Sequence, residues 1–452
     1  MQISVTGTFR DPDLAILIRH TSNIEAATPP HVPFDVQLLI IDQCRKDKPA
    51  LAACSLVCRA WLRPSRSHLF RDTTIKVPHR TDEPVRHFIQ SLILSHTELG
   101  HNISTLRIVG SDRFHPWIQL RNPYSPMVLT IAFYPMLSRL PRLRTLSFVN
   151  VRFDTLDFTM PHLVGSDKHD RPSIGHLEIN SCLDSGDNAN GMVNFISLFS
   201  SIRTLALDLE HYGNPLQMST DLIPHSHPVK IRSIVLRGMV DWWSSCLSHH
   251  FKHALRSSGA VPHPSECLNI WPHWGREWTQ LKGIGLFVEL NAPTIRSLRI
   301  NPMQLLVAKR EENLEGHWHE LRLAACVNLR SLLFSLDSTG FAHDQIPDAV
   351  RRAYEGILEI LMDPGLPATI EKVTFHLTLP AESHPSLAAF NWEFVDEILV
   401  RIRRLRSVMV EMSAGSVAPT EHLTRRLART AAKGWLEFRV GETGVPWWEV
   451  PL

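Results

Sequence analysis

Cysteine is sparse in this chain. Seven occur in 452 residues, at 44, 54, 58, 182, 246, 267 and 326, an odd number with no Cys-x-x-Cys pair. That pattern excludes a disulfide framework and a cysteine-based zinc module, and predicts free thiols in a reducing compartment. Long apolar runs are missing too, since no segment approaches the roughly 18 uninterrupted apolar residues that span a bilayer. Residues 1–27 show no basic start, apolar core and small-residue cleavage site of a secretory signal. The expected location is therefore cytoplasmic or nuclear, with no membrane partner. An excess of one charge is likewise absent: 47 basic and 45 acidic side chains leave a net charge of +2. No block of five or six like charges recruits a polyanion, so no nucleic acid is expected as a partner.

Motifs that carry catalysis are not found either. There is no phosphate-cradling loop, nucleophile elbow, zinc-hydrolase helix or dinucleotide fingerprint, and Gly283-x-Gly285 lacks a third glycine. The chain is expected not to be an enzyme and to need no cofactor. Histidine is plentiful, with 25 residues and two clusters, His249-His250-Phe251-Lys252-His253 and His317-Trp318-His319-Glu320. A helical His249/His253 pair would share a face, but no third ligand sits at an informative spacing. Solvated surface histidines are expected there, and no metal.

Two patterns are present. The first lies in residues 31–71, where two short apolar-patterned stretches flank the polar turn Arg45-Lys46-Asp47-Lys48-Pro49. Pro33 suits a first helical turn and Asp35 favours the helix dipole. Val36, Leu39 and Ile40 form one stripe; Leu51, Cys54, Val57, Cys58 and Trp61 form another on a second helix. Helices this short are marginal alone, so both stripes are expected to pack on each other or on a partner.

The order Val32-Pro33-x-Asp35, Ile40, Leu51, Val57-Cys58-Arg59-x-Trp61, followed by His68-Leu69-Phe70-Arg71, resembles the F-box, in particular the F-box-like segments of mushroom-forming fungi. Val32, Asp35 and Cys44 stand where that family more often has leucine, glutamate and a larger apolar residue. The resemblance implies a three-helix fold docking on a Skp-type adaptor, which joins it to a cullin scaffold and a ubiquitin-conjugating enzyme. It implies that Pro33, Ile40, Leu51, Val57, Cys58 and Trp61 serve the adaptor contact or the core beneath it.

The second pattern is a repeat. Leu143-Arg-Thr-Leu146, Ile202-Arg-Thr-Leu205, Ile231-Arg-Ser-Ile234, Ile295-Arg-Ser-Leu298, Leu329-Arg-Ser-Leu332 and Leu405-Arg-Ser-Val408 share one phrase, each with a further apolar residue two places on. Looser copies sit at Ile103-Leu106-Ile108, Ile174-Leu177-Ile179 and Ile370-Val373-Phe375. The middle positions, 106, 146, 177, 205, 234, 298, 332, 373 and 408, are spaced by 28 to 41 residues except for one step of 64. A degenerate copy is expected inside that step; Leu281-Ile284-Leu286 fits the phrase at the wrong phase. Strand alternation in each phrase, with helix periodicity at 346–362 and 390–402, predicts repeated helix–strand units. That is the signature of a leucine-rich-repeat solenoid, and it also resembles the irregular repeats that follow the F-box in many family members.

The recurrent arginine is expected to point outward or lie at the edge of the concave sheet, there solvating a strand start, pairing with a neighbouring acid, or meeting an acidic partner. Pro161–Ser173 and Tyr212–Pro215 are expected loops, and Trp435, Trp447 and Trp448 are expected to cap the last repeat. The predicted fold is α/β: an extension (1–28), a small N-terminal helical F-box-like module (29–75), and an irregular leucine-rich-repeat-like array with a C-terminal cap (76–452). The expected function is substrate recognition for a Skp-cullin-F-box ubiquitin ligase, with a protein target of unknown identity. The alternative is a non-catalytic scaffold whose F-box-like segment engages no ligase.

Overall fold

The computed structural model describes residues 32–77, 83–94, 98–110, 127–128, 136–153, 171–180, 183–184, 195–196, 198–208, 229–237, 267–271, 279–305, 318–338, 344–378, 390–413 and 420–441. The N-terminal extension, most of the 161–173 insertion, the Tyr212–Pro215 turn, the 249–253 histidine cluster, His317, Trp447 and Trp448 lie outside the described residues. The chain divides into two compact units, Met1–Phe70 and Arg71–Leu452.

The first unit holds α1 (Phe34–Gln43), α2 (Lys48–Val57) and α3 (Arg59–Arg71). Asp47 caps α2, its Oδ1 accepting from the Ala50 amide at 3.0 Å, and Pro49 occupies the first turn, where a missing N–H costs nothing. The single stripe expected to run from Leu51 to Trp61 is broken. Cys58 takes an extended conformation (φ −160°, ψ 169°) that ends α2. Its carbonyl then accepts from the amides of Trp61 and Leu62 and opens α3, so Trp61 belongs to a third helix.

The second unit is mixed α/β with two parallel sheets. The larger has twelve strands: β1 (Asp72–Lys76), β2 (Thr105–Val109), β4 (Thr145–Val149), β6 (Ser173–Asn180), β8 (Ser201–Asp208), β9 (Lys230–Arg237), β10 (Cys267–Trp271), β11 (Ser297–Ile300), β12 (Ser331–Asp337), β13 (Lys372–Thr378), β14 (Ser407–Ser413) and β15 (Leu436–Gly441). They pair in chain order and all in parallel. The smaller sheet joins β3 (Met127–Val128), β5 (Arg152–Phe153) and β7 (Leu183–Asp184). Helices α4 (Glu83–Leu94), α5 (Thr279–Asn291), α6 (Pro302–Leu305), α7 (Ile346–Met362), α8 (Trp392–Leu399), α9 (Thr420–Arg426) and α10 (Ala428–Ala432) fall between strands.

Register explains the repeated phrase. Its middle residues form one row, with Leu106 beside Leu146, Leu146 beside Leu177, and Leu298 beside Leu332, each wholly buried. The second apolar row carries Phe148, Phe334 and Phe375. Phe375 meets Trp392 of α8 edge-on at 5.4 Å, and Phe148 meets Phe195 at 5.0 Å. Each such side chain contributes about 2 kcal/mol on leaving water, which is why the phrase tolerates aliphatic and aromatic exchange but no polar residue.

Three strands of the large sheet carry neither the Arg-Ser/Thr phrase nor one of its looser copies. The 64-residue step contains β10, whose Leu268 pairs between Ile234 and Leu298, whereas Leu281, Ile284 and Leu286 lie on α5. Residues 72–76 form β1, paired with β2, so the boundary of the helical module falls earlier than 75. Leu436–Gly441 adds β15 where a cap was expected. Gly434 reaches φ +70°, a left-handed turn that a side chain resists, and Trp435 lies under the Lys433 ammonium at 4.2 Å.

Candidate protein-binding surface

The first unit buries little of its apolar surface. Among its described large hydrophobic residues only Ile41 and Leu51 are fully enclosed, at 1% and 0% exposure. Val32, Phe34, Val36, Leu38, Leu39, Ile40, Leu56 and Val57 are exposed instead, Leu39 at 62%, Val57 at 63% and Leu56 at 86%. Exposed apolar surface concentrated in so few residues makes this unit a candidate interaction surface.

The six residues singled out from sequence separate into two groups. Pro33, Ile40, Val57 and Cys58 are exposed. Leu51 is core, and half-buried Trp61 donates its indole N–H to Gln37 Oε1 at 2.6 Å. Gln37 also donates from Nε2 to the Val32 carbonyl at 2.6 Å, so it ties α3 to the start of α1. The sequence reading passed over Gln37, because a glutamine on a short helix carries no signal until Trp61 is placed beside it. Phe34 and Leu56 were missed for a similar reason, as they lie off the two stripes. His68 Nε2 approaches Asp42 Oδ1 at 3.8 Å, a second α3–α1 link. Partial burial and the adjacent Cys44 thiol raise the pKa of Cys54.

In the second unit the six repeat arginines, Arg144, Arg203, Arg232, Arg296, Arg330 and Arg406, are all exposed at strand starts. Their backbones form the first rung of the ladder. The Arg296 carbonyl accepts from the amides of Arg330 and Ser331 at 2.8 and 3.0 Å, and the Arg330 carbonyl accepts from Glu371 and Lys372 at the same distances. The rung uses main chain only.

The sheet face opposite the Leu/Phe rows is not open along its length. Ala206, Val235, Arg299, Leu333, Thr374 and Met409, which a broad binding face would expose, are each 4% exposed or less. On that face His376 lies with Nδ1 3.4 Å from Ser335 Oγ and 3.3 Å from Thr378 Oγ1. Burial, and then the positive charge of Arg299, lower its pKa from 6.5 to about 4. Between these values the unfolded chain binds a proton that the native state refuses. Stability is therefore complete above pH 6.5 and falls as pH drops toward 4, by about 3 kcal/mol for this residue. His376→Gln is expected to flatten the slope of urea-unfolding free energy against pH in that window; an unchanged slope would contradict the buried neutral imidazole.

No catalytic constellation stands out among the described residues. A cleft of about 250 Å³ is lined by Leu137, Leu140, Leu143, Ile174 and Phe199 with prolines and two serines, and has no titratable group in its wall. Burial pushes the Cys326 thiol up to about 12, which leaves it protonated and inert. No described helix is long and apolar enough to cross a membrane. Neither the family models nor the curated proteins searched contain a match to this chain.

Proposed function

We propose that this protein is the substrate-recognition subunit of a Skp-cullin-F-box ubiquitin ligase. The F-box-like helical unit docks on a Skp-type adaptor, and an irregular leucine-rich-repeat-like solenoid holds a protein target; ubiquitin chemistry belongs to the partners. The observation that carries this reading is the exposed apolar surface of the first unit, on a chain order similar to the F-box. A helix that docks in a partner's groove presents such side chains on the free protein. Pro33, Ile40, Val57 and Cys58, with Phe34, Leu39 and Leu56, are the contact residues in this reading. Leu51, Trp61 and Gln37 hold them from beneath.

The full chain is expected to be captured by a purified Skp-type adaptor. Val57→Asp is expected to weaken capture at least about ten-fold, because it sets an unpaired charge in a desolvated contact. Arg351→Glu, at an exposed position of α7, serves as the control and leaves capture unchanged. Failure of the wild-type chain to bind, or equal binding by Val57→Asp, would leave a scaffold outside ubiquitin transfer.

A further inference from the structure

We propose that the arginines at the strand starts form a docking surface for an extended acidic segment of a partner protein. This rests on reading the second unit as the part that holds a target, and does not depend on adaptor docking. The six arginines of the repeat are exposed and stand at one register position of the large sheet. Arg203 on β8 is the neighbour of Arg232 on β9, and Arg296, leading into β11, is the neighbour of Arg330, leading into β12. Strands lie about 4.8 Å apart, so the guanidinium groups of neighbouring strands can converge on one carboxylate. The planar fork of arginine matches a carboxylate with two hydrogen bonds.

Among the described residues Arg144, Arg203, Arg330 and Arg406 have no ion-pair partner, in contrast to Arg351, Arg401 and Arg426, each of which holds a carboxylate. Exposed Arg142 and Arg403, in the turns leading into β4 and β14, add charge of the same sign. Glu371 before β13 is the one acid among the described residues at this register position. Among the described residues this end of the sheet therefore carries a largely basic line, which the near balance of charge over the whole chain hides.

Length and chemistry select the partner. From β8 to β14 the row spans six strand steps, about 29 Å, which an extended segment of about nine residues covers. At the described positions of the row no aromatic side chain offers a base a stacking platform, and a peptide can set an uncharged residue opposite Glu371, where a phosphate backbone carries a charge at every unit. An acidic peptide fits better than a nucleic acid.

The test uses the full chain and a fluorescein-labelled peptide of about nine alternating Glu and Ser residues, read by anisotropy, with the Gln/Ser peptide as control. Binding of the acidic peptide is expected to weaken at least about ten-fold between roughly 50 and 500 mM salt, where screening shortens from a length that spans neighbouring arginines to one that does not. Arg203→Glu/Arg330→Glu is expected to weaken it at least ten-fold, and Arg406→Glu alone several-fold. Arg351→Glu is expected to leave it within two-fold. Adaptor capture by each variant, run alongside, is expected to be unchanged, which separates this surface from the first unit, and an unchanged urea midpoint checks folding of the second. Equal binding of the Gln/Ser peptide, or arginine reversals within two-fold of wild type, would overturn the proposal. So would a single-stranded oligonucleotide of equal charge that binds ten-fold tighter, since it would assign the row to nucleic acid.

Discussion

Asp396→Ala is expected to lower the local stability of the last two helices by about 4 kcal/mol. Asp396, on α8, is 2% exposed and is the N-terminal cap of α10, a helix 33 and 34 residues away in sequence. Its Oδ2 accepts from the Arg429 amide at 2.8 Å and its Oδ1 from the Thr430 amide at 2.9 Å, with the Thr430 hydroxyl as a third donor to Oδ1. Leu427, at the capping position itself, has no side chain able to do this. Hydrogen bonds to a charged acceptor contribute about 1.5 kcal/mol or more each, and removing the acceptor strands the donors of wholly buried Thr430 without water. Amide exchange at Arg429 and Thr430 is expected to accelerate at least about 100-fold in the variant, because local opening sets that rate. Asp396→Asn, which keeps one carbonyl oxygen, is expected to show about half the effect in free energy. Glu397→Ala, one residue on, removes only an exposed i,i+4 pair with Arg401 and is expected to change exchange by less than about two-fold. Equal exchange in Asp396→Ala and Glu397→Ala would remove the capping role.

Gly285→Ala is expected to reverse the usual sign of its substitution. In an open helix interior this change stabilises by about 1 kcal/mol, because alanine has the better helix propensity. Here α5 passes so close to the 318–321 turn that a Cβ on Gly285 would fall on the backbone carbonyl oxygen of Glu320. Backbone does not yield as a flexible side chain does, so the helix must separate from the turn. That movement would disturb the Arg322–Glu289 ion pair and the packing of buried Leu321 and Ile284. A net loss of about 3 kcal/mol is expected, read as a lower urea midpoint at unchanged slope. A midpoint equal to or above wild type would show that the approach is looser than the structure has it. Gly356 has the same kind of constraint from a side chain, since a Cβ there would lie 2.5 Å from the indole of buried Trp318. The glycine that fails as part of a phosphate-binding fingerprint therefore has a packing reason.

Residues 346–362 are helical over the range their periodicity predicts, with Ala349, Val350, Ala353 and Ile357 buried along one face and Pro347 in the first turn. The second periodic stretch, 390–402, narrows to Trp392–Leu399, capped by Asn391. The repeated phrase locates β4, β8, β9, β11, β12 and β14, because its apolar positions two places apart fall on one face of each strand and line up as the buried Leu/Phe rows.

Local patterning of this kind is what the sequence alone determined: most strands of the large sheet, α7, the short helices α1 and α2, and the exposed arginine at six strand starts. Tertiary structure decided whatever depends on a neighbour distant in the chain. β1, β10 and β15 lack the phrase and are recognised only by their register against β2, β9, β11 and β14. The break at Cys58, which moves Trp61 to a third helix and into contact with Gln37, depends on where that indole finds an acceptor. Burial of Arg299, Thr374 and His376 on a face that alternation alone would assign to solvent, and the reach of Asp396 to α10, follow from packing between elements tens of residues apart. Periodicity within one segment has no information about such partners, because hydrophobic burial and hydrogen-bond satisfaction are settled by the whole fold.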